Sequence, residues 1–275
     1  MPWAAHALIG VAAFVSFCGN AAPADRAPID AYPRAAAAYV LATDDHVLWA
    51  RNADKPLPPA SLAKLLSALV LLRGRWNETE IITISAAAAA IEGTQIGLRA
   101  GEKIRAGDAL TAMLLRSAND ACLALAENAA GSSAEFVRRM QALANELALK
   151  HSEFRTPCGL DAPGQYSTAN DLLSLARIAM RQPQIAVRAA RENDVAVTLG
   201  GRSVAFHNNN ALIGRLRGTL GVKSGFTVAA GKCVIAMVER EGHRVWLVLL
   251  NAPNRWWTAD AMIEAAFAAI NIAAD

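Results

Sequence analysis

The strand-like segments of this sequence lie near its two ends, and a mostly helical stretch separates them. Residues 36–43 and 46–51 have the composition of two strands joined at Asp44-Asp45. From Val195 onward, short apolar segments alternate with tight turns, whereas residues 76–190 are predicted to be mostly helical. Because strands must pair with one another, we predict one antiparallel sheet built from both ends of the chain, with the helical middle packed beside it. The expected fold class is therefore α/β, of the α+β kind: an antiparallel sheet flanked by helices, with an inserted helical subdomain.

Apolar periodicity, capping residues and turn residues predict the individual elements. Helices are expected from Ser61 to about Gly74, after Asp108, from Asp120 to Ala130, from Ser132 to about Leu149, from Thr168 to Met180 and from about Trp257 onward. Beyond the first two strands, we expect strands at Ile81–Ile84, Val195–Leu199, Arg202–His207, Val222–Thr227, Lys232–Arg240 and His243–Leu250.

The first 24 residues have the composition of a secretory signal peptide. They contain no Lys, Arg, Asp or Glu, run apolar from Ala7 to Phe17, and end in Ala22-Pro23-Ala24. We expect cleavage after Ala24 and a location in the periplasm or cell-wall space; an uncleaved membrane anchor is the competing interpretation. Residues 25–275 then form a single domain, with an α/β part at about 30–75 and 191–275 and a helical part at about 76–190.

Composition narrows the classes of partner and cofactor. The chain has 27 basic and 24 acidic residues, a balance of +3 that argues against nucleic acid as the main partner. Cys122, Cys158 and Cys233 are too far apart in sequence for a zinc site, and the histidines show no paired metal-binding spacing, so neither metal nor cofactor is expected. We interpret these cysteines as buried small hydrophobic residues, two of which can form a disulfide in an oxidising compartment.

Ser61 and Lys64 form an SxxK pair just after Pro58-Pro59, where a helix is predicted to begin. Ser61 is expected to be the N-cap, and residues three apart share a helix face, so the Lys64 amine can reach the Ser61 hydroxyl. The partial positive charge at a helix N-terminus disfavours an ammonium ion and favours a neutral amine that accepts a proton. Alone, the motif is weak, because a capping serine followed by a surface lysine has the same pattern.

Two further short motifs follow in order. Ser117 to Asn119 form SxN, and Lys223-Ser224-Gly225 lie on a predicted strand. In isolation, Asn119 could be only a helix cap, and Lys223 only a solvated charge on an edge strand. The ordered set SxxK, SxN and KSG resembles the penicillin-recognising serine enzymes.

Within that superfamily, the chain resembles the low-molecular-mass D-alanyl-D-alanine carboxypeptidases over roughly residues 33–270. The matching segments are PASLAKL, RSANDACLALAE, FRTPCGLDAPGQYSTANDL, FHNNNAL and GVKSGFTVAAGKC. The sequence departs from the family pattern by having SAN where SGN is frequent and KSG where KTG is common. The resemblance implies a β-lactamase/transpeptidase-like fold, peptidoglycan peptide stems as substrate and β-lactam antibiotics as covalent inhibitors.

The resemblance also implies a role for each motif residue. Ser61 attacks the carbonyl of a D-Ala-D-Ala peptide bond, Lys64 takes its proton, and Ser117 relays a proton to the leaving amine. The Asn119 amide is expected to bind the substrate backbone, while Lys223 attracts the substrate's carboxylate.

The KSG strand is expected to complete the substrate site. Ser224 and Thr227 offer hydroxyl groups to the carboxylate, and Gly225 lets the substrate lie close to the strand. The backbone N–H groups of Ser61 and Phe226 would form the oxyanion hole.

Several alternatives remain open at this point. A DD-endopeptidase acting on crosslinks would share all of these motifs, and an inactive wall-binding homologue would lack one of them. A class A β-lactamase needs a Glu followed four residues later by Asn, but Glu153 is followed by Phe154, Arg155, Thr156 and Pro157. Trp256-Trp257 can face a membrane or pack the last helix, so a peripheral membrane contact also stays open.

Overall fold

The structure, a computed structural model, describes Met1 and residues 29–274, with side chains as far as residue 270. Apart from Met1, the predicted signal peptide at residues 1–24 lies outside the described residues. No helix among the described residues is both long enough and apolar enough to cross a bilayer.

The strands form one large sheet and two small ones, all antiparallel. They are β1 (Ala38–Thr43), β2 (Val47–Arg51), β3 (Ile81–Thr83), β4 (Lys103–Arg105), β5 (Asn193–Val197), β6 (Ser203–His207), β7 (Thr219–Thr227), β8 (Gly231–Arg240) and β9 (His243–Leu250). The five-stranded sheet has the order β2-β1-β9-β8-β7, so strands from both ends of the chain pair side by side.

Eight α-helices accompany these sheets within the described residues. They are α1 (Lys64–Arg73), α2 (Ala86–Ala90), α3 (Ala106–Leu115), α4 (Asn119–Ala130), α5 (Ser133–Glu146), α6 (Ala169–Met180), α7 (Pro183–Ala189) and α8 (Arg255–Ala274). The short elements α2, α7 and β4 were not predicted, because three to seven residues carry little periodic signal.

The inner strand β1 is buried on both faces, which explains its nearly continuous apolar sequence. Ala38, Val40 and Ala42 pack into the core that contains α1 and the helical part of the chain. Tyr39 and Leu41 point the other way, into a second core that contains α8. The sheet is therefore sandwiched between two helical layers, and its β7 edge is left for the functional site.

The predicted strands near residues 195–207 form, but they do not join the five-stranded sheet. They pair only with each other as β5–β6, and Thr198 bridges to Ile104 of β4. Val195 and Val197 are exposed while Ala196 is buried, a one-sided pattern that suits a surface hairpin. The expectation that these strands extend the main sheet is therefore wrong.

The segment at Ser61 also differs from the predicted helix start. Residues Ala60–Ala63 form a 3₁₀ turn, α1 begins only at Lys64, and no side chain caps either element. Ser61 is thus not an N-cap. In a 3₁₀ turn, side chains at positions i and i+3 lie directly above one another, and this geometry aligns Ser61 with Lys64 more closely than an α-helix would.

The loop around Gly159 packs directly against this 3₁₀ turn. Gly159 has a φ of +74°, and a methyl group on it would lie 2.0 Å from the Ala60 carbonyl oxygen. Gly164, in the same loop, has a φ of +76°, but its nearest neighbour would be the Arg155 side chain at 3.9 Å. The two glycines therefore have nearly the same positive φ and differ in the space around them.

Gly159→Ala is expected to lower the free energy of unfolding by about 2–4 kcal/mol. The added methyl group would collide with the 3₁₀ turn, and alanine is also less stable than glycine at a positive φ. Gly164→Ala is the matched control and should cost only the backbone contribution of about 1 kcal/mol. Urea unfolding of the two variants and the wild type measures the difference. Equal losses in both variants would contradict the close packing of the loop on the 3₁₀ turn.

Candidate active site

Four segments meet beside the β7 edge of the sheet. They are the 3₁₀ turn Ala60–Ala63, the turn at Ser117–Asn119 between α3 and α4, the strand β7, and the loop that contains Cys158 and Gly159. The three sequence motifs thus converge, although about 160 residues separate the first from the last. Two non-glycine residues have positive φ here, Ala60 at +50° and Ser117 at +63°. Strained backbone of this kind concentrates at functional sites.

The Lys64 side chain is fully buried and makes three short contacts. Its Nζ lies 2.9 Å from Ser61 Oγ, 2.7 Å from Asn119 Oδ1 and 2.6 Å from the carbonyl oxygen of Cys158. The Asn119 and Cys158 oxygens can only accept hydrogen bonds. A neutral amine has two N–H groups for these two acceptors, which leaves its lone pair facing the Ser61 hydroxyl.

Burial holds the pKa of Lys64 well below its ordinary value, and the nearby Lys223 lowers it further, while Asp120 opposes these effects. The cause is physical: an ammonium ion loses its hydration on burial, and a second cation repels it. Lys64 is therefore suited to accept the Ser61 proton. The positive end of a helix, invoked from the sequence, is not needed to explain this shift.

Asn119 is held at both ends of its amide. Oδ1 accepts from Lys64, and Nδ2 donates to the Glu92 carbonyl oxygen at 2.7 Å. The oxygen of this amide thus contacts Lys64 and one of its two N–H groups binds the loop at Glu92, which leaves the second N–H group for a substrate backbone.

The buried carboxylate of Asp120 fixes that same loop. It accepts hydrogen bonds from the backbone N–H groups of Ile96, Gly97 and Leu98, at 3.1, 2.9 and 2.9 Å to Oδ2. A carboxylate that accepts several backbone N–H groups is strongly anchored. Asp120 thereby ties the first turn of α4 to the loop that supports Asn119.

Ser117 is buried at the same turn, but among the described residues no hydrogen bond joins its hydroxyl to Lys64 or Lys223. The hydroxyl remains available to a further partner.

The KSG part of β7 lies directly against the 3₁₀ turn. A methyl group on Gly225 would lie 3.0 Å from the backbone nitrogen of Ser61, so only glycine lets the strand approach this closely. Lys223 and Ser224 are buried, with Lys223 Nζ donating to the Ser224 carbonyl oxygen at 2.9 Å. Ser224 Oγ donates to the Asn209 carbonyl oxygen at 3.3 Å.

Arg255 lies beneath this strand and was not singled out from the sequence. Its Nη1 donates to the carbonyl oxygens of Gly225 and Cys233, at 2.6 and 3.2 Å. Burial, together with the Arg255 charge, lowers the pKa of Lys223 from 10.5 to about 7. No local pattern marks Arg255, because α8 reaches β7 only through the tertiary fold.

Phe226 and Thr227 have different surroundings from those of the KSG residues. The Phe226 side chain is 61% exposed, so it stands at the open mouth of the site. The Thr227 hydroxyl donates to Asp161 Oδ1 at 2.6 Å and accepts from the Ala230 N–H at 3.0 Å. Thr227 therefore joins β7 to the loop at Asp161, and its proton is not free for a substrate carboxylate.

A disulfide joins Cys122 of α4 to Cys158, with 5.9 Å between the Cα atoms. It connects the helix that begins at Asn119 to the loop whose carbonyl oxygen contacts Lys64. Sequence alone left this pairing open, because residues 36 apart reveal no contact.

Cys233 is free and buried, and burial raises the pKa of its thiol to about 11. Within residues 29–274, no group of three or more His, Cys, Asp or Glu side chains is arranged to hold a metal ion.

Comparison with known proteins places this geometry in context. Residues 26–254 match the family model of the D-alanyl-D-alanine carboxypeptidases, peptidase family S11. The carboxypeptidase DacF of Bacillus subtilis is 31% identical over 210 residues, which is 75% of this chain and 54% of the relative. A D-alanyl-D-alanine endopeptidase of Pseudomonas aeruginosa is 31% identical over 243 residues, covering 86% of this chain and 78% of that protein. This chain thus spans about half the length of some of the relatives it matches.

The fold has solved counterparts. The crystal structure of a D-alanyl-D-alanine carboxypeptidase from Mycobacterium tuberculosis is 30% identical and superposes with a TM-score of 0.80, over 90% of this chain and 96% of that one. The predicted β-lactamase/transpeptidase-like fold is confirmed. The chain belongs to the D-alanyl-D-alanine carboxypeptidase family, as its motifs predicted.

Proposed function

We propose that this protein is a serine DD-peptidase that trims the D-Ala-D-Ala ends of peptidoglycan peptide stems through an acyl-enzyme on Ser61. The observation that carries the proposal is the buried Lys64 amine, 2.9 Å from Ser61 Oγ and bonded on its other sides to two oxygens that only accept. This arrangement activates a serine nucleophile by an adjacent base.

The reaction proceeds in two steps. Ser61 Oγ attacks the carbonyl carbon of the penultimate D-Ala while Lys64 takes the hydroxyl proton. The peptide C–N bond then breaks as Ser117 gives its hydroxyl proton to the leaving amine and regains a proton from Lys64, and D-Ala departs. Water then loses a proton to Lys64 and attacks the resulting ester, and that proton returns to Ser61 Oγ as the shortened stem leaves.

The backbone on both sides of Ser61 supports the transition state. The N–H groups of Ser61 and Phe226 are proposed to bind the oxyanion, and the close approach at Gly225 brings β7 to Ser61. Lys223 and Ser224 are proposed to bind the substrate carboxylate, Lys223 through its charge and Ser224 through its hydroxyl group. For Asn119, the hydrogen bonds support a role in holding Lys64 in place.

A DD-endopeptidase is the second candidate, because a crosslink presents the same acyl group with a different leaving amine. The Pseudomonas aeruginosa relative carries that name, and the motifs here serve either substrate.

A class A-like β-lactamase is disfavoured. Its deacylation needs a carboxylate base near the nucleophile, but Glu153 pairs with Arg155 at 3.1 Å, and its backbone pairs with Tyr166. Penicillins are therefore proposed to acylate Ser61 and to leave slowly. An inactive wall-binding protein would not need a buried amine in contact with the Ser61 hydroxyl, so this role is also disfavoured.

The proposal extends to location. Residues 1–24 are proposed to direct secretion across the cytoplasmic membrane, so that the domain at 25–275 acts in the periplasm or cell-wall space where peptidoglycan lies. A peripheral membrane contact is a further expectation, to which the exposed Trp257 side chain can contribute.

Ser61→Ala is expected to reduce D-Ala release from diacetyl-L-Lys-D-Ala-D-Ala by at least about a thousandfold, because no other group replaces the nucleophile. Chromatography of the released D-Ala measures the rate. Ser203→Ala, an exposed serine on β6, is the matched control and should keep wild-type activity. Undiminished release by a folded Ser61→Ala variant would disprove the acyl-enzyme mechanism.

The kcat/KM for the same tripeptide should fall as pH rises above about 7, where Lys223 loses its charge. On the acid side, activity should persist well below the ordinary lysine range, because the Lys64 pKa is lowered. A flat profile from pH 7 to 9 would contradict the proposed role of Lys223.

The titration of Lys223 does not itself destabilise the fold at alkaline pH. The folded-state pKa of Lys223 is lower than its unfolded value, so between about pH 7 and 10.5 the unfolded chain binds more protons. The contribution of Lys223 to stability therefore increases with pH in this window. Thermal unfolding at each pH serves as the control.

A further inference from the structure

Arg116 is an exposed cation at the edge of the site, directly before Ser117. Its Nη1 donates to Asn209 Oδ1 at 2.8 Å, and Asn209 Nδ2 donates back to the Arg116 carbonyl oxygen at 2.6 Å. This reciprocal pair holds the arginine at both its backbone and its side chain. A guanidinium has five N–H donors, so most of them stay free for a ligand.

Asn209 links Arg116 to the KSG strand. The Asn209 carbonyl oxygen accepts from Ser224 Oγ at 3.3 Å, so one residue contacts Arg116 through its side chain and Ser224 through its backbone. The backbone N–H of Asn209 also donates to the Leu115 carbonyl oxygen at 2.9 Å, at the end of α3. Arg116 is therefore fixed between the Ser117 turn and the strand along which a substrate would lie.

The other polar groups of the site are either buried or already hydrogen-bonded to protein oxygens. Lys64 Nζ contacts three oxygens, Lys223 is only 2% exposed, and Arg255 donates to the carbonyl oxygens beneath β7. The Thr227 hydroxyl donates to Asp161. Arg116, by contrast, makes no ion pair with any residue that the structure describes.

We infer that Arg116 binds the carboxylate of the residue that leaves, and so selects substrates whose leaving residue carries a free α-carboxylate over those in which it is amidated. A guanidinium forms paired hydrogen bonds with a carboxylate and keeps its charge at every physiological pH. It thus adds an exposed positive charge to the buried one that Lys223 provides. This inference rests on the proposed function and adds to it a residue that determines specificity.

The test compares two substrates, diacetyl-L-Lys-D-Ala-D-Ala and its C-terminal amide. For Arg116→Gln, kcat/KM for the acid is expected to fall roughly ten- to a hundredfold, the range for a lost charge-assisted hydrogen bond, while kcat/KM for the amide changes little. The main change should be in KM. Arg116→Lys should recover part of the preference for the acid.

Arg105→Gln is the matched control, because it removes an exposed arginine at the other end of α3. It should retain the wild-type ratio of acid to amide. The hydrogen bond from the Asn209 side-chain amide to the Arg116 carbonyl oxygen survives in Arg116→Gln, so the turn is expected to stay folded.

The outcomes separate the two proposals. If Arg116→Gln lowers both rates equally, or neither, Arg116 does not recognise the carboxylate, and the proposed function still stands on the wild-type activity. If the wild type hydrolyses neither substrate, the proposed function itself fails.

Discussion

The burial of one amine determines how the rest of this site is built. Lys64 has no exposed surface, and an ammonium ion there would lose its hydration without a carboxylate to bond with it directly. The fold provides two acceptor-only oxygens, from Asn119 and Cys158, and places Ser61 in the third direction. The disulfide at Cys158 and the Asp120 carboxylate then fix the segments that carry these oxygens. The position of the buried amine thus depends on contacts that the helical layer provides.

The sequence predicted the elements with strong periodicity and the residues with a distinctive motif. The paired strands at both ends, the long helices and the convergence of Ser61, Lys64 and Lys223 followed from pattern and resemblance. The separate β5–β6 hairpin was missed as such, since hydrophobic alternation predicts a strand but not its partner. The sequence gives no sign of its exposure, because the two larger apolar residues, Val195 and Val197, face outward.

The supporting contacts could not be predicted, because they depend on backbone atoms and on residues far apart in sequence. The carbonyl oxygen of Cys158 has no sequence signature, and neither does the position of Arg255 under β7. Asn119 and Thr227 were identified as site residues, yet their partners are Lys64 and Asp161. Motifs therefore identified the participants, while the tertiary structure determined which groups face the open site.

The most direct test of this account is mass spectrometry of the purified protein after incubation with benzylpenicillin. The account predicts one covalent penicillin on the wild-type chain, located on the peptide that contains Ser61 and stable for minutes, and none on Ser61→Ala. A folded wild-type protein that forms no adduct would contradict the activated serine. Rapid turnover of many penicillin molecules without an adduct would contradict the proposal that Glu153 supplies no carboxylate base for deacylation.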